Sequence, residues 1–196
     1  YVSDSIDHLS EFGYNEFYSP LKLLEDYDVN NHDHLISRSY MQTQITGIKK
    51  AHEAYFNEEK TFMRSLDVMI TTKCSMKCES CSNLMQYYTN PENSDYKKII
   101  HEVNIITSHV DDISEFRVIG GEPLMNKEWA NITNGILKDD PKRKIYIYTN
   151  GTVGPKDDQL ELLQGQGVNF VITDYGRFSR NIESMKEKLT KYNLAF

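Results

Sequence analysis

The sequence is poor in cysteine, in basic charge and in long apolar runs. Only three of its 196 residues are cysteines, and 22 Lys and Arg stand against 29 Asp and Glu, for a formal net charge of −7. This acidic balance disfavours a general nucleic-acid or anionic-membrane binder, because such proteins present a basic face. No apolar run approaches the ~20 residues of a membrane span, and no signal peptide is visible. These absences predict a cytoplasmic protein whose partners include neither nucleic acid nor membrane.

The length predicts one domain with an appendage, since domains commonly take ~150 residues. Residues 1–64 are polar and rich in tyrosine, and we predict a helix there from about Gln44 to Glu59. The segment's role is not indicated by any motif. We divide the chain into an N-terminal extension, 1–64, of mostly helical or irregular structure, and a core, 65–196. The sequence begins with Tyr1 and not with Met, which favours a fragment of a longer protein.

All the cysteines fall in one short segment, as Cys74, Cys78 and Cys81. An odd number cannot be fully paired within the chain, so a disulfide scaffold is disfavoured. A structural zinc site would need a fourth ligand, which here would be a distant His. Three thiolates can hold three irons of a [4Fe–4S] cubane, whereas ferredoxin-type clusters use four cysteines. The remaining iron would then have open positions for another ligand.

From residue 66 onward, β-forming runs alternate with stripes of helical period. Strands are predicted at 66–72, 116–119, 145–149 and 170–172, and a fifth begins at 194–196. The helices between them include one through Leu84, Met85 and Tyr88 and one capped by Ser94. Such alternation gives a parallel sheet with right-handed crossovers. A closed barrel of eight units takes ~250 residues, so about four units predict an open arc.

Each predicted strand is followed by a segment suited to binding. The cysteines follow the first strand, Gly120–Pro123 the second, Thr149–Gly151 the third and Thr173–Asp174 the fourth. Ligand sites of parallel sheets lie at the carboxyl ends of the strands, so these segments are predicted to form one site. Taken alone, the second and third are also compatible with tight turns.

The C-x3-C-x2-C segment, with Gly-Gly-Glu-Pro about forty residues later, resembles a radical S-adenosylmethionine (SAM) enzyme. The resemblance covers about residues 66–193, the first two-thirds of that family's core. It implies an α/β fold, an open partial (β/α) barrel. It also implies an oxygen-sensitive [4Fe–4S] cluster that cleaves SAM reductively to a 5′-deoxyadenosyl radical, which abstracts hydrogen from a substrate. A low-potential electron donor such as flavodoxin or ferredoxin is the implied partner.

The resemblance assigns roles to residues of this sequence. It implies that the three cysteines are the cluster ligands and that Gly120, Gly121 and Glu122 hold the SAM ammonium. It further implies contacts to the rest of SAM from Asn150, Thr173, Asp174 and Arg177, with Arg180 as the alternative to Arg177. A helix cap for Asp174 and a surface position for the arginines stay open. The family commonly has an aromatic residue before the last cysteine, and Ser80 departs from that pattern, so the adenine contact must differ.

The substrate stays open, and no catalytic acid or base is assigned. A carbohydrate-related substrate is one expectation, because the segment around Cys74–Tyr88 resembles bacterial proteins of surface-polysaccharide gene clusters. Peptide modification and activation of a glycyl-radical partner are others. Two further classes stay open: a truncated, non-catalytic iron–sulfur or SAM-binding module, and a zinc protein.

Overall fold

The computed structural model describes residues 60–196, together with Gly47 and Lys50, which are helical. The chain divides into two units between Phe62 and Met63, and the account below concerns the second. The helix predicted from Gln44 to Glu59 otherwise lies outside the described residues. The domain boundary at residue 64 stays a prediction.

Four strands form one sheet: β1 (Phe62–Met69), β2 (Asp112–Ile119), β3 (Ile145–Thr149) and β4 (Val168–Ile172). Their order in the sheet follows the chain. Strands β2, β3 and β4 pair in parallel, with Phe116 opposite Ile145 and Ile145 opposite Val168. Beyond β4, Asn169 forms a parallel bridge with Ala195. The predicted start of a fifth strand therefore lies against the β4 edge.

Four α-helices alternate with the strands: α1 (Tyr96–Thr107), α2 (Trp129–Lys138), α3 (Asp157–Leu163) and α4 (Ile182–Lys191). Short 3₁₀ turns lie at Met85–Tyr87, Pro123–Met125 and Gly176–Phe178. This alternation of parallel strands and helices confirms the predicted α/β arc. Within the described part of the chain, no helix is both long and apolar enough to cross a bilayer.

The core lies between the sheet and the helices. Side chains alternate between the two faces of a strand, so every second residue of each central strand faces the helices, and helical spacing supplies a matching apolar stripe. Trp129 packs edge-on against Phe170, with ring centroids 5.9 Å apart. The buried set includes Phe116, Val118, Ile145, Ile147, Val168, Phe170, Trp129, Ile132, Ile136, Leu160, Leu163, Met185 and Leu189.

The structure corrects several predicted element boundaries. Strand β2 begins at Asp112 and not at 116, and β4 begins at Val168 and not at 170. Strand β1 spans Phe62–Met69 and not 66–72. The helix predicted after the cysteines is only a 3₁₀ turn, because Leu84 adopts a left-handed backbone (φ 55°) that a right-handed helix cannot contain. The cap of α1 is Asp95, whose carboxylate accepts from the Lys98 N–H, and Ser94 instead donates its hydroxyl to the Met69 carbonyl.

Candidate cofactor site at the carboxyl ends of the strands

Backbone hydrogen bonds join the segments that follow the strands. Gly121 N–H donates to the Thr71 carbonyl (3.0 Å), and Glu122 N–H donates to the Lys73 carbonyl (2.8 Å). The segment after β2 is thus attached to the start of the cysteine loop. At the other side, Thr173 N–H donates to the Thr149 carbonyl (2.9 Å). The four segments therefore lie along one edge of the sheet, as the parallel topology predicts.

Gly120 and Gly121 are required for this close approach. A Cβ on Gly121 would lie 2.6 Å from the Lys73 carbonyl carbon and 2.7 Å from the Cys74 Cβ. A Cβ on Gly120 would collide with the Thr71 carbonyl oxygen. Only a residue without a side chain lets two backbones pass this closely. The glycines therefore set the distance between the β2 end and the cysteine loop.

Glu122 is fully buried and ties the second segment to the third. Its Oε1 accepts from the Leu124 N–H (3.1 Å) and the Thr149 hydroxyl (2.8 Å), and its Oε2 accepts from the Asn150 N–H (2.8 Å). Burial raises the pKa of Glu122, while the three donated bonds act in the opposite direction. The carboxylate is thus an internal acceptor that orders the loops around it.

Asn150 stands between Glu122 and the cysteines. Its main-chain carbonyl accepts from the Ser179 hydroxyl (2.7 Å). Its side-chain amide faces the cysteine loop, with Nδ2 3.3 Å from the Ser75 hydroxyl and 3.8 Å from the Cys74 sulfur. The third and first segments are therefore connected through this one residue.

The three cysteines are free thiols and each is half-buried. Burial raises the pKa of Cys74, a hydrogen bond from the Met76 N–H opposes it, and the nearby charges of Glu122, Cys78 and Cys81 raise it further. In the part of the chain that the structure describes, no group of three or more His, Cys, Asp or Glu is arranged to hold a metal ion.

The donor set nevertheless suits an iron–sulfur cluster. Three thiols on one irregular loop offer soft ligands, and the glycine pair holds the end of β2 directly against that loop. Such a loop can close on a metal, because binding and folding of ligand loops are coupled. A zinc site would need a fourth ligand besides the cysteines, and the described residues 60–196 assemble no group that supplies one.

The remaining predicted residues lie on the loop after β4 and are exposed. Asp174 Oδ1 accepts from the Gly176 N–H (2.7 Å), which closes a turn within the loop. The Arg177 guanidinium lies over the Phe178 ring, 4.9 Å from its centroid. Thr173 is joined to β3 through its backbone. The structure thus gives Asp174 and Arg177 local partners, and their predicted contacts to SAM stay predictions.

Two groups of polar residues were not predicted. The Ser75 hydroxyl bonds with that of Thr152, and the Ser179 hydroxyl donates to the Asn150 carbonyl; no sequence motif marks these hydroxyls. On the sheet face opposite the core, the Arg117 guanidinium contacts Glu115 Oε1 (2.7 Å) and Asp67 Oδ1 (3.7 Å). The alternation Glu115-Phe116-Arg117-Val118 was the available signal, because it places two charged residues on the face that the helices do not cover.

A family model of the Radical SAM superfamily matches residues 68–192, more than half of the chain. The chain belongs to the radical SAM superfamily. The resemblance stated from the cysteine and glycine motifs is thereby confirmed. Membership implies an iron–sulfur cluster and SAM as the cofactors of this radical SAM chain.

Several curated proteins are similar to this radical SAM chain. The probable GTP 3′,8-cyclase of Methanocaldococcus jannaschii is 29% identical over 143 residues, covering 65% of this chain and 46% of that protein. The GTP 3′,8-cyclase of Petrotoga mobilis is 29% identical over 145 residues, covering 64% and 44%. The chain thus spans less than half the length of these relatives. A crystal structure of BtrN in complex with AdoMet and 2-DOIA is 20% identical, with a TM-score of 0.46, and the match covers 66% of this chain and 56% of that one.

Proposed function

We propose that this radical SAM chain holds a [4Fe–4S] cluster through Cys74, Cys78 and Cys81 and binds SAM beside it, for reductive cleavage of the SAM. The observation that carries the proposal is the attachment of Gly120–Glu122 to the cysteine loop. Two backbone hydrogen bonds and a contact that tolerates no Cβ hold the Gly120–Glu122 segment next to Cys74. Neither motif alone requires this contact, and the fold produces it.

When bound, the cluster and SAM supply one-electron cleavage to methionine and a 5′-deoxyadenosyl radical, which takes hydrogen from a substrate. The chain's own groups would bind and orient the cluster and SAM. Three thiolates would hold three irons, which leaves an iron for the SAM amino and carboxylate groups. Glu122 fixes the segment after β2 from within, and the glycines hold the end of β2 directly against the cysteine loop. A low-potential flavodoxin or ferredoxin is the proposed class of electron donor.

The substrate is a separate question from the cofactor chemistry. The comparisons give no support for the carbohydrate-related substrate, because the curated relatives reported above are named as GTP 3′,8-cyclases. We therefore propose GTP as the first substrate to test. We also propose that residues 1–64 are an extension and 65–196 the cofactor-binding core.

The proposal is tested by anaerobic reconstitution of the chain, followed by reduction with dithionite in the presence of SAM. We expect about four irons and four sulfides per chain and formation of 5′-deoxyadenosine and methionine in equal amounts. A cluster that binds SAM but yields no deoxyadenosine would indicate the non-catalytic binding module. Zinc without sulfide would indicate the zinc protein. The control is the chain with all three cysteines changed to alanine.

A further inference from the structure

The orientation of the Asn150 side-chain amide is fixed by its neighbours. Thr152 N–H can only donate, and it points at Asn150 Oδ1 at 3.0 Å. The oxygen must therefore be the end that faces Thr152, and the Nδ2 group must be the end that faces the cysteine loop. The two Nδ2 protons then point toward Ser75 Oγ and Cys74 Sγ.

The hydroxyls of Ser75 and Thr152 complete a ring of hydrogen bonds with this amide. Thr152 Oγ1 donates its proton to Asn150 Oδ1 (2.6 Å). The Ser75 hydroxyl lies 2.5 Å from Thr152 Oγ1, and since the Thr152 proton is already used, Ser75 must donate to Thr152 Oγ1. Ser75 Oγ is then free to accept from Asn150 Nδ2 (3.3 Å). Each hydroxyl in the ring thus donates once and accepts once, and the second amide proton is left for the Cys74 sulfur.

Asn150 is itself anchored through its backbone. Its N–H is held by the buried carboxylate of Glu122, and its carbonyl accepts from Ser179. Asn181 Nδ2 also donates to the Thr152 carbonyl (2.6 Å). The amide therefore projects from a braced turn onto a loop that has no helix or strand of its own between Lys73 and Leu84. The ordered turn after β3 thus holds the cysteine loop, and not the reverse.

We propose that Asn150 is a positioning residue: it fastens the cysteine loop to the end of β3 by donating to Ser75 Oγ and Cys74 Sγ, and so tunes the cluster that Cys74 would hold. The inference rests on the proposed function. An N–H donated to a ligand sulfur stabilises the more negative, reduced cluster and raises its reduction potential. This is a different role from the SAM contact that the family resemblance implies for Asn150.

Asn150→Asp keeps size and the Oδ1 acceptor for Thr152 but replaces both donors with an oxygen. Asn150→Leu removes both donors without adding a charge beside the cysteines, a charge that would itself lower the potential. The matched control is Asn131→Asp, at an exposed position of α2. Two measurements are made: amide hydrogen exchange over residues 74–77 in the metal-free chain, and the midpoint potential of the reconstituted cluster without SAM. We expect faster exchange in Asn150→Leu, a more negative potential in both Asn150 variants, and wild-type values in the control.

Wild-type exchange, or a wild-type potential, in Asn150→Leu would overturn the assignment, because that variant has no donor left for Ser75 or Cys74. Should Asn150→Leu not fold, Ser75→Ala opens the same ring, and faster exchange at 74–77 supports the link whereas wild-type exchange overturns it. If the wild-type chain assembles no cluster, the proposed function fails, while the exchange comparison still decides whether Asn150 holds the loop.

Discussion

At the scale of single residues, Glu122 accounts for much of the order of the site. A fully buried carboxylate that accepts three hydrogen bonds from three different residues keeps the segments after β2 and β3 in register. Glu122 accepts from the Asn150 N–H, and the Asn150 side chain in turn contacts the cysteine loop. The residue that the sequence assigns to SAM is thus also an internal brace.

Glu122→Ala is expected to destabilise the chain itself, as well as to weaken SAM binding. Each buried donor left without an acceptor costs ~1–3 kcal/mol, and the free energy of unfolding in urea should fall by at least this amount. Glu122→Gln keeps one acceptor oxygen for Leu124 and Thr149 and should lose less. Equal urea midpoints for Glu122→Ala and wild type would place the carboxylate in contact with water.

The cysteines are expected to act as a set. Replacing any one of Cys74, Cys78 or Cys81 by Ala should prevent assembly of an intact four-iron cluster, because thiolates are the soft ligands of this loop. Iron and sulfide analysis with Mössbauer spectroscopy would measure the loss. A four-iron spectrum retained in one of these variants would remove that cysteine from the ligand set.

Gly121→Ala tests the close approach of backbone segments. Its new Cβ would meet the Lys73 carbonyl and Cys74 Cβ, and overpacking of this kind typically costs ~1–3 kcal/mol. We expect a lower thermal midpoint and poorer cluster incorporation. Gly154→Ala is the matched control, because a Cβ there has nothing closer than 3.8 Å. A similar fall in thermal midpoint and cluster incorporation in both variants would show that the effect does not depend on the contact between Gly121 and the cysteine loop.

At the scale of elements, α3 and α4 are joined by a charged group on the surface. Asp157 accepts from Lys191 Nζ (3.0 Å) and the Tyr192 hydroxyl (2.9 Å) and pairs with Lys188 Nζ (3.2 Å). These hydrogen bonds, that from Lys191 first, hold the pKa of Asp157 well below its ordinary value of 3.8. The folded chain therefore takes up a proton here at lower pH than the unfolded chain.

This shift predicts a pH dependence of stability. The stabilisation from Asp157 is present above pH 3.8 and is lost as the pH falls below that value. Asp157→Asn should therefore lower the melting temperature slightly at neutral pH and reduce its decline in acid, with Asp158→Asn on the same helix as control. If the melting temperatures of wild type and Asp157→Asn changed equally with pH, the carboxylate would make no such contribution.

The sequence predicts best those elements in which the regularly spaced apolar residues are also the buried ones. Ile145 and Ile147 alternate along β3, and Trp129, Ile132 and Ile136 follow the turn of α2, so period and burial agree. The prediction fails after the cysteines, where apolar Leu84 and Met85 suggest a helix. Leu84 takes a left-handed conformation that no local pattern announces, and its side chain is exposed.

At the scale of the whole molecule, parallel topology explains how the site could be predicted in part. Strand order alone places the cysteines, Gly120–Glu122 and Asn150 on one edge, so their proximity follows from the β/α alternation. The ring that joins Ser75 to Thr152 does not follow, because it depends on how two loops separated by 77 positions meet. The contacts of Arg117 with Glu115 and Asp67 could not be predicted for a similar reason, since the register of the sheet decides which charged residues become neighbours.

The most direct test of the account is the electron paramagnetic resonance spectrum of the reduced, reconstituted chain with and without SAM. With the three proposed cysteine ligands, one iron would stay open beside Gly120–Glu122, and SAM should bind that iron. We predict the signal of a reduced [4Fe–4S] cluster whose line shape changes when SAM is added. A cluster whose spectrum is the same with and without saturating SAM would contradict the account.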